Sequence, residues 1–518
     1  MSEVTTVLLL VVLATAVATG ARRWSIPAPS TLVVAGVLVA LLPFVPTVEV
    51  PPEVISVVVL PPLLYASAEE ISWRELRAVW RPVTALALGL VLATAVAIGA
   101  LAGLLTPLTP AMAFVLGAVL ASTDPVAVTA LGRRLALPPR IQTLVQAESL
   151  FNDATSLVLF KIAVSLAVTA GSLSVASAAG EFLLLAGGGA VVGGVVAVVV
   201  AFIRRRTEDP VLETVTALVT PYAAYVLGED LHTSGVTAVV VAGVVLGAQQ
   251  HRLTDARIRL QVHAVYRTVV FMLESVVFAL IGLELPGMVE DLTGAQGAWV
   301  WQSVLIALAL ILLRLLWIGP MSWVMHRQQA RARGAVSPGP LTWRVPAVLT
   351  WAGTRGVMPL AAALTIPLTA DDGSALPYRE LVLVLTTAVV AITLVVQGFT
   401  LAAVVRASGL ALAPEQTERE EAEAADLLLR AALSHLDGLV DAEMVPPVVA
   451  DRMRHDLQAR LTLADQPPDT TYRRLRRDLI AIETETLQQL YTDHQVSDAV
   501  RGRLQHALDL EEAALSDL

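Results

Sequence analysis

Six consecutive residues, Glu148-Ser149-Leu150-Phe151-Asn152-Asp153, set two carboxylates, a hydroxyl and an amide inside an otherwise apolar run. Glu148 and Asn152 are four apart, as are Ser149 and Asp153, so on a helix they form one polar patch. Oxygen ligands of this kind suit a hard cation, and a carboxylate can instead carry a proton. In a membrane helix the patch would cost roughly 2.5–3.5 kcal/mol per mid-bilayer charge on insertion scales. Function is then the reason to keep it, provided the chain lies in a membrane.

Composition places it there. Hydrophobic residues make up 56% of 518 and charged residues only 15%, against about 25% charged in soluble domains. An all-α polytopic membrane protein is expected. The absence of cysteine excludes a disulfide framework and a thiolate metal site. The first apolar run has no basic segment ahead of it and reads as a span rather than a cleaved leader. Charge is uneven: residues 407–518 hold 22 acids and 11 arginines, whereas residues 1–406 hold 23 acids and 24 basic residues. A membrane domain over 1–406 and a soluble, helical C-terminal domain over 407–518 are expected.

Apolar runs long enough to span lie near 4–21, 29–46, 51–68, 82–105, 111–132, 141–169, 181–203, 211–227, 234–248, 262–284, 300–325, 344–367 and 380–405, thirteen in all. Alternate connections between them, together with Arg406 after the last, carry 20 arginines, and the other connections carry only Arg379. By the positive-inside rule the arginine-rich side is cytoplasmic, which puts the N-terminus outside and the acidic tail inside. A plasma-membrane location follows.

Three basic residues remain, all within the runs: Lys161, Arg314 and Arg355. Lys161, toward the outer end of the sixth run, is expected to snorkel. Arg314 and Arg355 lie near mid-membrane, where each needs a carboxylate or a water-filled cavity. Asp124 in the fifth run, Glu148 and Asp153 in the sixth and Glu274 in the tenth are the candidate acids. Asp153 is twelve residues into its run, about 18 Å at 1.5 Å per residue, and so near the midplane.

Two runs carry breakers. Pro125 lacks an amide hydrogen and disfavours helix at Asp124, so the fifth run is expected to open around Thr123-Asp124. Gly353-Thr354-Arg355-Gly356, followed by Pro359, interrupts the twelfth. Breaks in corresponding places imply inverted repeats, runs 1–6 against 8–13, with a transport site where the broken helices cross.

At these residues the chain resembles the sodium/proton exchangers of the cation:proton antiporter-1 family, over about residues 30–406. The resemblance rests on Leu60-Pro61-Pro62, Thr123-Asp124-Pro125, the stretch from Glu148 to Asp153, Glu274 in Glu-Ser-Val-Val-Phe, Arg314, and Gly353-Thr354-Arg355-Gly356. It implies an NhaA-like antiporter fold of thirteen helices and a homodimer in which a mobile core passes a fixed dimerisation domain. Asp153 resembles the carboxylate that takes cation or proton alternately. Thr123, Asp124 and Ser149 resemble its supporting ligands, and Asn152 the residue that orients the site. Glu148 and Arg314 look like a structural ion pair, and Arg355 and Glu274 resemble residues tied to the helix break and to pH response. One departure stands out: Ala66 occupies a position where the family often has an acid. Glu69 and Glu70 nearby are expected to reach the cytoplasmic surface.

What this implies is electroneutral exchange of one Na⁺ (or Li⁺ or K⁺) for one H⁺, with no cofactor, no enzymatic activity and no nucleic-acid partner. A channel or an ion-sensing receptor could use the same acids. An intramembrane aspartyl hydrolase would need Tyr-Asp and Gly-x-Gly-Asp signatures, and the sequence has neither. In the tail, apolar residues recur at helical spacing near 416–440, 446–463, 469–492 and 495–516, and no Gly-x-Gly-x-x-Gly nucleotide fingerprint occurs.

Overall fold

The computed structural model describes residues 3–23, 26–42, 55–124, 139–169, 175–207, 209–253, 255–290, 298–332, 343–370, 373–410, 414–442, 444–464 and 470–493, with isolated positions thereafter. These residues are almost entirely helical, and they fall into two compact units, Met1–Ala411 and Leu412–Leu518.

The first unit begins with α1 (Glu3–Arg23), α2 (Ala28–Ala40), α3 (Ile55–Glu69), α4 (Trp73–Leu105), α5 (Pro110–Leu120) and α6 (Pro139–Val168). Next come α7 (Val175–Arg204), α8 (Pro210–Asp230), α9 (Gly235–Leu253), α10 (Ala256–Glu290) and α11 (Trp299–Ala332). Two short helices, α12 (Arg344–Trp351) and α13 (Val357–Leu364), precede the long α14 (Arg379–Ser408). Among the described residues, seven helices are long and apolar enough to cross a membrane: α4, α6, α7, α8, α10, α11 and α14. Shorter apolar stretches lie on α1, α2, α3, α5 and α9. Only 28% of the apolar stretch of α7 and of α11 is buried, against 83% in α14. α14 is therefore a core helix, while α7 and α11 turn apolar side chains outward, as lipid-facing helices do.

Local chemistry shapes these helices. Pro61 and Pro62 have no amide hydrogens, so the carbonyls four residues earlier lose their helical donors. The backbone widens into a π turn over Ile55–Val59, and the Tyr222 hydroxyl of α8 donates to the Val58 carbonyl at 3.1 Å. α2 and α10 approach closely at Gly36 and Gly282, where a Cβ on either would strike a backbone carbonyl of the other helix. Small residues at such a crossing are what let two membrane helices pack backbone to backbone.

Two charged groups differ from expectation. Lys161 finds a partner: its Nζ lies 2.7 Å from both carboxylate oxygens of Glu229, near the end of α8. The Gly235 amide donates to the same carboxylate at 3.0 Å, so a fixed acceptor is waiting where the lysine emerges. Glu69 is not surface-directed. Arg204, 1% exposed, donates through Nε to buried Glu213 and lies 3.8 Å from Glu69. Two inward carboxylates, on α3 and α8, need a counter-charge, and the end of α7 supplies it.

In the second unit, α15 (Pro414–Asp441) packs on α16 (Pro447–Ala464), with Arg454 bridging Asp437 at 2.7 Å and Asp451 at 3.0 Å. α17 (Thr470–Thr492) carries Arg476, which pairs with Glu483 and with Glu511. Most of the fourth expected tail helix, 495–516, lies outside the described residues.

Removing one member of the Arg204–Glu213 pair strands a buried charge. Arg204→Met or Glu213→Leu alone should lower stability by about 3–5 kcal/mol. The double variant should recover part of that loss, with Glu69 still lacking its counter-charge, which thermal unfolding in detergent would reveal.

Candidate functional site

α5 stops at Leu120, and residues 122–124 run on without helical structure. Pro125, expected to cause the opening, lies outside the described residues. The second interruption falls between Trp351, where α12 ends, and Val357, where α13 begins. The two open segments meet. The Asp124 amide donates to the Thr354 carbonyl at 2.8 Å, and the Thr354 hydroxyl returns a bond to the Asp124 carbonyl, also at 2.8 Å. Each break thus satisfies backbone groups that the other has freed, which a low-dielectric interior demands.

Glycine is required here by space. A Cβ at Gly356 would fall within the Asp124 carboxylate, and one at Gly353 would overlap the Arg314 guanidinium. The Gly-Thr-Arg-Gly sequence therefore opens the helix and admits a carboxylate and a guanidinium against its backbone.

α6 lies across this crossing and brings its polar patch to it. The Ser149 hydroxyl donates to the Thr123 carbonyl, and Asn152 Nδ2 donates to Thr123 Oγ1 at 3.1 Å. Asp153 Oδ1 accepts from Ser122 Oγ at 2.5 Å. One turn further along, the Ser156 hydroxyl holds the Ala118 carbonyl at 2.7 Å, pinning α6 to α5. Ser122, Thr123, Ser149, Asn152 and Asp153 are all buried. Asn152 Oδ1 is buried without a partner, leaving an open acceptor beside the hydroxyls and carboxylates.

Glu148 has a different environment. Its Oε1 and Oε2 take Arg314 Nη1 and Nη2 at 2.6 and 2.7 Å, while Arg314 Nε donates to the Leu349 carbonyl at 3.0 Å. The guanidinium fork is filled by one carboxylate and one carbonyl from α12, a geometry that fixes α6, α11 and α12 together. The Thr123 hydroxyl stands 3.5 Å from Glu148 Oε1.

Arg355 lies in the second break, between α12 and α13, and Glu274 on α10. Arg355 is buried, but among the described residues it forms no ion pair. Its Nη1 donates to the Gly353 carbonyl at 3.3 Å, its amide faces Thr393 Oγ1 at 3.3 Å, and its Nε has no partner. Glu148 is taken by Arg314. Glu274 is half-buried on α10 and, among the described residues, makes no hydrogen bond or ion pair; Asp124 and Glu70 are the acids whose charges it feels. Two residues were missed. Thr354 sits in the quoted Gly-Thr-Arg-Gly motif and Ser122 directly precedes Thr123, and their hydroxyls beside each breaker were the signal.

No three His, Cys, Asp or Glu side chains gather as a resident metal would require, among the described residues. The crossing gathers oxygen donors, the ligand type that suits a hard cation.

The model of the transmembrane sodium/hydrogen exchanger family matches residues 8–407. An uncharacterized Na⁺/H⁺ exchanger of Mycobacterium tuberculosis is 32% identical over 96% of this chain and 93% of its own length. A sodium, potassium, lithium and rubidium/H⁺ antiporter of Bacillus pumilus is 32% identical over 71% of this chain and 56% of its own. The sodium proton antiporter MjNhaP1 of Methanocaldococcus jannaschii superposes with a TM-score of 0.62 at 20% identity, covering 78% of this chain and 97% of that one; this likeness is one of fold.

Breaking the buried pair tests the division of labour between the acids. Glu148→Ala or Arg314→Ala should each cost about 3–5 kcal/mol by leaving the other charge unpaired. The loss should be read as a lower unfolding temperature of the purified protein.

Proposed function

Since the chain belongs to the transmembrane sodium/hydrogen exchanger family, we propose that it exchanges Na⁺, or another monovalent cation such as Li⁺ or K⁺, for H⁺ by alternating access. The observation that supports this reading most is the crossing of two open chain segments beside buried Asp153. Cation and proton compete for Asp153, because a bound cation favours the ionised carboxylate and a proton removes the charge it needs. Thr123, Asp124 and Ser149 contribute further oxygens, and Asn152, tied to Thr123, orients the group. Asn152 in place of a second acid leaves one titrating carboxylate in that pair, and one-for-one, electroneutral exchange follows. Glu148 and Arg314 hold the fold. Arg355, at the second break, offsets the negative charge of the site, and Glu274 contributes to the pH response from α10.

The wider arrangement belongs to the same proposal. The chain crosses the plasma membrane thirteen times as two inverted repeats, with the N-terminus outside. Residues 1–406 form a core and a dimerisation part of a homodimer embedded in lipid, and the soluble 407–518 domain lies in the cytoplasm. It works without cofactor, nucleic-acid partner or enzymatic chemistry.

Two outcomes check this. Purified protein in proteoliposomes should acidify or alkalinise the lumen when Na⁺ is added, and Asp153→Asn should abolish the signal while remaining a folded dimer. Full exchange in that variant would remove Asp153 from the mechanism, and flux without counter-transport would indicate a channel. Deleting 415–518 should alter pH dependence or dimer stability; a truncated protein unchanged in both would deny the tail its role.

A further inference from the structure

α4 is longer than the apolar layer it has to cross. Its 33 residues, Trp73–Leu105, run about 50 Å at 1.5 Å per residue, against a hydrocarbon core of about 30 Å. Part of the helix therefore stands at headgroup level, and its exposed side chains show which part. Leu88, Leu92 and Val96 turn aliphatic surface outward, as acyl chains require. Before them come Trp73, Arg74, Arg77, Trp80 and Arg81, all exposed, while Leu76, Val79 and Val83 bury the opposite face. Trp73 and Trp80 are seven apart and share one side of the helix, with the three arginines beside them. The Arg81 guanidinium lies 5.6 Å from the centre of the Trp80 ring. Among the described residues none of these arginines forms an ion pair. The acid of the segment, Glu75, is engaged elsewhere: its Oε2 accepts from the Thr143 hydroxyl of α6 at 2.6 Å.

We propose that this Trp–Arg face of α4 is a docking site for the headgroups of anionic phospholipids. Indole rings settle at the boundary between acyl chains and headgroups, which fixes the depth of the face in the bilayer. At that depth three guanidiniums within eight residues meet phosphate oxygens, for which their forked donors are shaped. Basic residues beside a membrane surface are drawn to net negative lipid, whereas a zwitterionic headgroup offers each guanidinium a phosphate and a competing cation. The Thr143–Glu75 bond ties the same segment to α6, so a lipid bound on the outer face holds α4 in place against α6 and stabilises the protein. The inference needs only that the chain lies in a membrane. It is independent of which ion is exchanged and of the role given to Asp153.

The experiment titrates purified full-length protein in mild detergent with phosphatidylglycerol or phosphatidylcholine. Retained lipid is counted by native mass spectrometry, and the unfolding temperature is recorded at each step. The wild type should retain phosphatidylglycerol and unfold at a higher temperature with it, and phosphatidylcholine should do neither. With Arg74→Gln, Arg77→Gln and Arg81→Gln combined, the apparent affinity for the tightest phosphatidylglycerol should fall about a hundredfold, the size expected for three basic residues at an anionic surface. The thermal shift should go with it. Lysine at the same three positions keeps the charge and should stay within a few-fold of the wild type. Arg77→Gln alone, one exposed change, should cost about fivefold and decides the matter if the triple glutamine variant does not fold. Equal retention of the two lipids by the wild type, or undiminished phosphatidylglycerol affinity in the glutamine variants, would overturn the inference. So would stabilisation by inorganic phosphate equal to that by phosphatidylglycerol, which would make the face a site for free anions.

Discussion

Two interrupted helices inside an apolar protein create a debt of unpaired backbone groups, and the exchange of hydrogen bonds between Asp124 and Thr354 settles much of it. Every other feature of the site depends on that meeting. It brings the end of α5 and the gap between α12 and α13 to one place, and it leaves room for a carboxylate where Gly356 has no side chain. Backbone that is neither helix nor sheet is tolerated at membrane depth only where it is enclosed in protein or lines a cavity. Here the enclosure comes from α6 on one side and from the buried α14 on the other.

Charge is then divided by partner. Glu148 meets a bidentate guanidinium and is committed to it. Asp153, five residues on and so on a different part of the helix face, meets a hydroxyl. A carboxylate locked to arginine is a poor place to exchange ions, because releasing it exposes two buried charges. A carboxylate held by a single hydroxyl can change partners at small cost. The same helix therefore carries one acid suited to holding the structure and one suited to chemistry. The Arg355 guanidinium donates to the Gly353 carbonyl and, among the described residues, pairs with neither acid.

Much of this was legible in the sequence. Breakers announced the openings, since Pro, Gly-Thr-Arg-Gly and their neighbours leave few helical alternatives. Four-residue spacing announced the patch on α6, and the Arg314–Glu148 contact is the pair that the family resemblance implied. The misses share one cause. Lys161 and Glu69 were read from their distance to the ends of apolar runs, and the partners they found, Glu229 and Arg204, lie on helices far away in sequence. Arg355 was expected to need a carboxylate or a water-filled cavity, and among the described residues it pairs with no carboxylate. Which serine reaches Asp153 was likewise invisible, because Ser122 and Ser149 differ in the path of the chain and not in chemistry.

The central claim is that one carboxylate serves cation and proton in turn. The most direct measurement is the number of protons released when Na⁺ binds the purified protein, obtained by calorimetry in buffers of different ionisation enthalpy at a pH where Asp153 is largely protonated. The account predicts close to one proton released per Na⁺ bound, with binding and release lost together in Asp153→Asn. Na⁺ binding without proton release, or release that persists in Asp153→Asn, would contradict it.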